Sequence, residues 1–228
     1  MAAAVAFDMH LKHGLCIGVR IPAEDEAVLA LSREALLPEE ARYAERLAPL
    51  VRRTWIGGRV ALREVFGRMG IDAPPVMPND RGAPGVPIGI AASITHKAGL
   101  AVALAARESS AHVGVDLELD VSRAHDIARR VLTADELEEV APLAPTERTR
   151  EVLLRFSAKE AIYKALDPFV RRFVGFQEVA VRPCPDGSGA VQAALTRGEG
   201  PFAIDVTWRR FDGVVLTTAR VVPRLLSS

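Results

Sequence analysis

Phe156 to Leu166 reads Phe-Ser-Ala-Lys-Glu-Ala-Ile-Tyr-Lys-Ala-Leu, and this run constrains the fold more than any other in the chain. It holds neither Gly nor Pro, and it is rich in Ala, Leu and long straight side chains. Its polar residues recur at helical spacing, so it is read as helix interior. Glu160 and Lys164 then stand one turn apart on one face, with Phe156 one turn earlier. Alone, a carboxylate one turn before an ammonium is only a surface ion pair worth about 0.2–0.5 kcal/mol. A second acidic pair, Asp116 and Glu118, argues for more than that.

The rest of the chain arranges itself around this helix. Leu15 to Ile21 is a short β-rich run closed by Pro22, and Glu24, Asp25 and Glu26 suit a first helical turn. Pro38 with Glu39 and Glu40 starts another helix. Apolar residues then recur at helical spacing to Gly70, as one long helix or two, with candidate breaks at Pro49 and at Gly57-Gly58. Its other side carries Arg52, Arg53, Arg59 and Arg63, either a solvated face or anion ligands. From Asp72 to Gly89 five prolines and several glycines make a long loop, and loops of that length are usually functional. Ile90 to Thr95, Leu100 to Ala106 and His112 to Leu119 read as strands, and Ser122 or Asp126 as the start of a short helix. Thr133 with Glu136 is an N-cap signature, Thr146 starts the helix of the opening stretch, and Pro168 should stop it. Strand patterns follow at Gln177 to Arg182, Ala190 to Leu195, Ala203 to Arg209 and Val214 to Val222, separated by turn signals. The Ala-rich start carries no pattern. Each half thus runs strand, short helices, long helix, strand cluster. That is a duplicated α+β unit with its boundary near Ser109-Ser110, giving halves 1–110 and 111–228.

Composition narrows the function. Lys plus Arg equals Asp plus Glu at 29 each, so no global field points to nucleic acid or an anionic membrane. Any anion site must be local. Cys16 and Cys184 have neither metal spacing nor a paired framework, which suits a reducing compartment, and the expected location is the cytoplasm. No apolar run reaches the ~18 residues of a membrane span, and the start lacks a basic leader region.

In a strand, residues i and i+2 face the same way, so Asp116 and Glu118 share one face while Val115 and Leu117 take the other. Two like charges side by side need water or a cation. With Glu160 they form a hard oxygen-ligand set suited to Mg²⁺ or Mn²⁺ rather than zinc or iron. Magnesium held by few carboxylates keeps positions for phosphate oxygens, so the expected ligand is a polyphosphate. Such a ligand then needs basic side chains, available in Lys159, Lys164, Arg53 and Arg81.

These residues match a known pattern. Gly114-Val115-Asp116-Leu117-Glu118, followed at Phe156-Ser157-Ala158-Lys159-Glu160-Ala161-Ile162-Tyr163-Lys164, resembles the paired signature of the Sfp-type 4'-phosphopantetheinyl transferases. Arg53 with Gly58-Arg59-Val60-Ala61 resembles the family's basic helix. Arg81-Gly82-Ala83-Pro84 and Ser93-Ile94-Thr95-His96 resemble the loop and motif lining its coenzyme A cleft. The resemblance covers roughly residues 50 to 167. It implies a pseudo-duplicated α+β fold with the active site in the cleft between halves, coenzyme A on the first half and metal on the second. It also implies transfer of the phosphopantetheine arm of coenzyme A to a serine of an acyl or peptidyl carrier protein, releasing adenosine 3',5'-bisphosphate. Two similar halves within one chain make a monomer self-sufficient, and a monomer is expected.

Carried over by position, Asp116, Glu118 and Glu160 would hold Mg²⁺, with Mn²⁺ as a substitute, and Lys164 would neutralise phosphate charge. Arg53 and Arg81 would meet the 3'-phosphate and adenine side, Thr95 and His96 the phosphates, and Arg59 and Lys159 would join the coenzyme-binding set. Glu160 is also the candidate base, directly or through a water. Val86 stands where many relatives have Trp and Ala92 where Gly is usual, which bears on substrate details. Arg129-Arg130-Val131-Leu132 reads either as a helix end or as a basic and apolar patch for an acidic partner helix. Histidines 10, 13, 112 and 125 have no partner at metal spacing. Two other readings stay open: a duplicated binding module without chemistry, and a magnesium-dependent pyrophosphatase.

Overall fold

The computed structural model describes residues 4–120 and 127–224; the helix start expected at Ser122 or Asp126, and His125, lie outside them. The chain divides into two compact units, Met1–Ser109 and Ser110–Ser228.

The first unit contains β1 (Val5–Leu11), β2 (Gly14–Arg20), α1 (Asp25–Ala35), α2 (Pro38–Glu45), α3 (Pro49–Met69), β3 (Ile90–Lys97) and β4 (Leu100–Arg107). Its strands form an antiparallel sheet in the order β1-β2-β4-β3. Prolines at the first positions of α2 and α3 give up an N–H that no helix could use there. Of the two candidate breaks, only Pro49 separates helices. Gly57 and Gly58 lie inside α3, where a methyl would come within 2.6 Å of Ile21 and 2.7 Å of Ile94 respectively. Their missing side chains let the helix seat on the sheet. Left-handed Gly70 ends α3, with Gly70 N–H donating to Gly67 and Ile71 N–H to Phe66, a Schellman arrangement. Ile56, Val60, Leu62, Val65 and Phe66 pack on Leu15, Ile17, Val19 and Ala103 to make this unit's core. Strand β1 was not legible in the Ala-rich start. It is a mostly exposed strand whose Phe7 ring lies over Gly18 of β2.

The second unit contains β5 (His112–Leu119), α4 (Ala128–Val131), α5 (Ala134–Val140), α6 (Pro145–Val170), β6 (Val179–Pro183), β7 (Ser188–Ala193), β8 (Phe202–Phe211) and β9 (Val214–Pro223). Its antiparallel sheet has the order β5-β9-β8-β7-β6, so the first strand of the unit pairs with the last. Ala158, Ala161, Ile162, Ala165 and Leu166 of α6 bury themselves against Val179, Val181, Val206, Ala219 and Val221. Thr133 and Glu136 form the expected capping box at the start of α5.

Pro168 does not end α6, which continues to Val170 and closes on Arg171 in the left-handed region. The ring removes one backbone donor near the helix end. Tertiary packing holds the last turn instead: the Phe169 ring sits 4.8 Å from His112 and 5.5 Å from Phe202, and Val170 joins the same core. Both units follow the α+β order read from the sequence, though the first opens on a hairpin and the second on a single strand.

Beyond α6, Arg172 donates to both oxygens of Glu178 at 2.9 and 2.7 Å and to Glu199. Arg172 is the first cause holding both carboxyls below their ordinary range. Groups shifted in that sense add stability above the unfolded carboxylate pKa and lose it as pH falls toward the folded value. The melting temperature of Arg172→Met should therefore lie below wild type near neutral pH, with the gap closing as pH drops below about 4. Melts followed by circular dichroism between neutral pH and acid check this. At Gly114 a Cβ would stand 1.8 Å from the Ala161 carbonyl oxygen. Gly114→Ala should therefore cost about 1–3 kcal/mol or more, seen as a lower denaturation midpoint.

Candidate active site

Gly114 decides how close β5 lies to α6. Asp116 and Glu118 follow at two-residue steps on the same strand face, so they too look toward α6. From the helix, Ser157, Glu160, Ala161 and Lys164 come round at helical spacing. Asp116 is 6% exposed. Its Oδ2 accepts from Ser157 Oγ at 2.9 Å and its Oδ1 from Lys164 Nζ at 2.9 Å. Lys164 also donates to the Val115 carbonyl at 2.9 Å. Thr217 of β9 is the cross-strand partner of Asp116. Its hydroxyl stands 2.9 Å from Ser157 Oγ and donates to the Ser157 carbonyl at 2.9 Å.

Glu160, one turn before Lys164, has its carboxyl pushed above the usual range. Burial is the first cause and the Asp116 charge the second; Lys164 opposes the rise and Glu118 adds to it. Asp116, Glu118, Glu160 and Lys164 therefore share one electrostatic neighbourhood. Oxygen donors that repel one another suit a hard divalent cation, which would relieve them. Among the described residues, however, no three His, Cys, Asp or Glu gather closely enough to form a metal-holding group. Where the sequence leads one to expect a three-carboxylate centre, the structure brings the acids within electrostatic reach and sets an ammonium on Asp116. Ser157 and Thr217 were not singled out from the sequence. Only the expected register of two strands and a helix could have found them.

Two residues expected to touch the coenzyme are placed elsewhere. Lys159 is fully buried, and its three protons go to Glu136 at 2.6 Å, the Val131 carbonyl at 2.7 Å and the Phe176 carbonyl at 3.0 Å. Adjacent helical residues point about 100° apart, so while Glu160 faces β5, Lys159 points into the packing of α5 and β6. Glu136 also accepts from the Thr133 and Val181 amides at 2.7 and 2.8 Å. Burial lowers the Lys159 pKa against the pull of Glu136. Arg59 is 4% exposed. It lies 4.7 Å over the Trp55 ring and donates to the Val76 carbonyl at 2.7 Å. Burial brings its pKa down to about 10. It anchors the proline-rich loop rather than presenting a charge outward. Arg63 does the same through the Ala73 and Pro74 carbonyls, each at 2.8 Å, and through buried Glu40.

The remaining expected coenzyme ligands all lie in the first unit. Arg53 is half-buried, its Nη2 3.9 Å from where a Gly99 side chain would begin, at the β3–β4 turn beside exposed His96. Thr95 is buried. Arg81 is exposed on the loop, its amide donating to Asn79 Oδ1 at 2.9 Å. Val86 and Ala92 both pack against the core of the first unit. Arg129 and Arg130 are exposed while Val131 and Leu132 are buried, so the basic and apolar parts of that segment face different ways.

Known proteins then decide the family. The sequence profile of the 4'-phosphopantetheinyl transferase superfamily matches residues 112–219, and that of the 4'-phosphopantetheinyl transferase N-terminal domain matches residues 39–106. The 4'-phosphopantetheinyl transferase Svp of Streptomyces mobaraensis is 31% identical over 195 residues, covering 82% of this chain and 78% of that protein. The chain belongs to the 4'-phosphopantetheinyl transferase superfamily. The transferase PptT of Mycobacterium tuberculosis is likewise 31% identical over 190 residues, covering 81% of this phosphopantetheinyl transferase and 78% of PptT. Npt of Nocardia iowensis is 27% identical over 194 residues, 79% of this chain and 86% of its own.

Breaking a buried ion pair by removing one partner costs about 3–5 kcal/mol. Lys159→Met in this transferase should therefore lower the unfolding free energy measured by urea titration by an amount of that order. Loss of a lysine that only met a ligand at the surface would change it by less than about 0.5 kcal/mol.

Proposed function

We propose that this phosphopantetheinyl transferase moves the 4'-phosphopantetheine arm of coenzyme A to a serine hydroxyl of an acyl or peptidyl carrier protein and releases adenosine 3',5'-bisphosphate. The observation that carries the reading is the face shared by β5 and α6, where Lys164 pairs with Asp116 beside Glu118 and a Glu160 carboxyl raised first by burial and then by the Asp116 charge.

Asp116, Glu118 and Glu160 would hold Mg²⁺, with Mn²⁺ as a substitute. Bound there, the ion supplies charge neutralisation on the pyrophosphate and on the leaving bisphosphate. Lys164 has two of its three protons placed on Asp116 and the Val115 carbonyl, which leaves the third for a phosphate oxygen. Glu160, directly or through a water held beside it, is the group placed to receive the serine proton. Transfer then forms a bond from the serine oxygen to the phosphorus of the phosphopantetheine arm and breaks the pyrophosphate P–O bond. Positioning and charge supply most of the rate, since phosphoryl transfer asks for little covalent chemistry from the protein. Arg53 and His96 at one turn of the first unit, with Arg81 and Thr95, are the residues we assign to the anionic end of coenzyme A.

No helix among the described residues is long and apolar enough to cross a membrane, and Cys16 and Cys184 are both free. We place the enzyme in the cytoplasm, acting as a monomer.

The test is the intact mass of an apo carrier protein incubated with this chain, coenzyme A and Mg²⁺. One phosphopantetheine should be gained, and the gain should vanish when the metal is chelated. Glu160→Gln should lower the rate by about 10²- to 10⁴-fold. Breakdown of coenzyme A without any gain on the carrier would point to a pyrophosphatase instead.

A further inference from the structure

We propose that Ser157 and Thr217 are positioning residues that fix which oxygen of Asp116 faces the cation side of the site. This rests on the reading above in which Asp116 is a metal ligand.

The terminal torsion of an aspartate is broad, so a carboxylate held at one point alone can turn. Here it is held at both ends. Ser157 and Thr217 are both fully buried. Three contacts of 2.9 Å join Asp116 Oδ2 to Ser157 Oγ, Ser157 Oγ to Thr217 Oγ1, and Thr217 Oγ1 to the Ser157 carbonyl. Only two hydroxyl protons serve those contacts, because an ionised carboxylate and a carbonyl are pure acceptors. A proton on a carboxylate makes the stronger, charge-assisted bond, which assigns the Ser157 proton to Asp116. The Thr217 proton is then shared by the two oxygens of Ser157. The relay has one direction, from Thr217 through Ser157 to Asp116.

Its parts come from three elements held in register. Thr217 is the rung partner of Asp116 in the β5–β9 ladder. Ser157 lies one helical turn before Ala161, whose carbonyl meets Gly114 two residues before Asp116. With Oδ2 occupied by a neutral donor, Oδ1 is the oxygen left for positive charge, and it is the one that accepts from Lys164. Ser157 spends its proton on Asp116 itself and Thr217 on the residue that holds Asp116. That chain of contacts ending on the candidate ligand is what assigns the two hydroxyls to it.

The test reads Mn²⁺ binding by electron paramagnetic resonance on the purified full chain, with coenzyme A at a fixed excess. Removing the partner that orients a metal-binding carboxylate weakens the metal about 10- to 100-fold, which is the loss expected for Ser157→Ala. Thr217→Val should weaken binding less, and Thr217→Ser should restore it. In steady-state assays the half-saturating Mg²⁺ should rise while the KM for coenzyme A stays put, a split that general loosening of the fold would not give. Wild-type Mn²⁺ affinity in both Ser157→Ala and Thr217→Val overturns the proposal. If Ser157→Ala fails to fold, as judged by its melt, the near-isosteric pair Thr217→Val and Thr217→Ser decides alone. A wild-type chain that binds no Mn²⁺ overturns the metal reading itself, and this proposal with it.

Discussion

The second unit depends on one close approach, the β5 backbone at Gly114 against the α6 backbone at Ala161. A side chain on the strand there would have to push the two apart by about 1.5 Å to reach ordinary contact, enough to stretch bonds of 2.9 Å past hydrogen-bond distance. Asp116 could then meet neither Ser157 nor Lys164, and the helix would bring Glu160 to an empty face. Hydrophobic burial of Ala158, Ala161 and Ala165 supplies the attraction. The small size of those alanines, with the missing side chain of Gly114, sets the distance at which it stops. Polar geometry at the site is thus inherited from apolar packing.

Buried charge in this chain mostly serves to fasten irregular segments to regular ones. Glu40 takes the Leu37 and Val76 amides and the Arg63 guanidinium, which ties the start of the proline-rich loop to α2 and α3. Arg155 binds Glu139 and Glu151 while donating to the Val181 carbonyl, and Lys159 with Glu136 joins α4, α5, β6 and the turn at Phe176. Glu40, Lys159 and Glu136 each combine an opposite charge with backbone partners. That is the condition under which burial of charge is tolerated.

Much of this was legible in the sequence because it follows from local rules. The strand alternation that puts Asp116 and Glu118 on one face, the Thr133 cap and the proline starts of α2 and α3 depend on neighbours a few residues away. Features set by distant partners were not legible. Strand β1 exists because β2 offers an edge and Gly18 a seat for Phe7, and α6 passes Pro168 because Phe169 and Val170 are held from outside. Arg59 and Lys159 look like exposed cations until the segments that cover them are known. The same holds for Ser157, an unremarkable small residue in a helix until Thr217 and Asp116 are placed beside it.

Lys159 and Glu160 are neighbours in the chain, yet one is spent on holding the unit together and the other stands with Asp116, Glu118 and Lys164, where we propose that the chemistry takes place. Over evolutionary time such a pair would be retained under two separate pressures. Loss of the first would be purged wherever the protein must persist in the cell, whatever it does there. Loss of the second would be purged only where its reaction is needed. A descendant that had abandoned catalysis could therefore drift at position 160 while keeping position 159 unchanged, and the boundary between structure and chemistry would run through a single peptide bond.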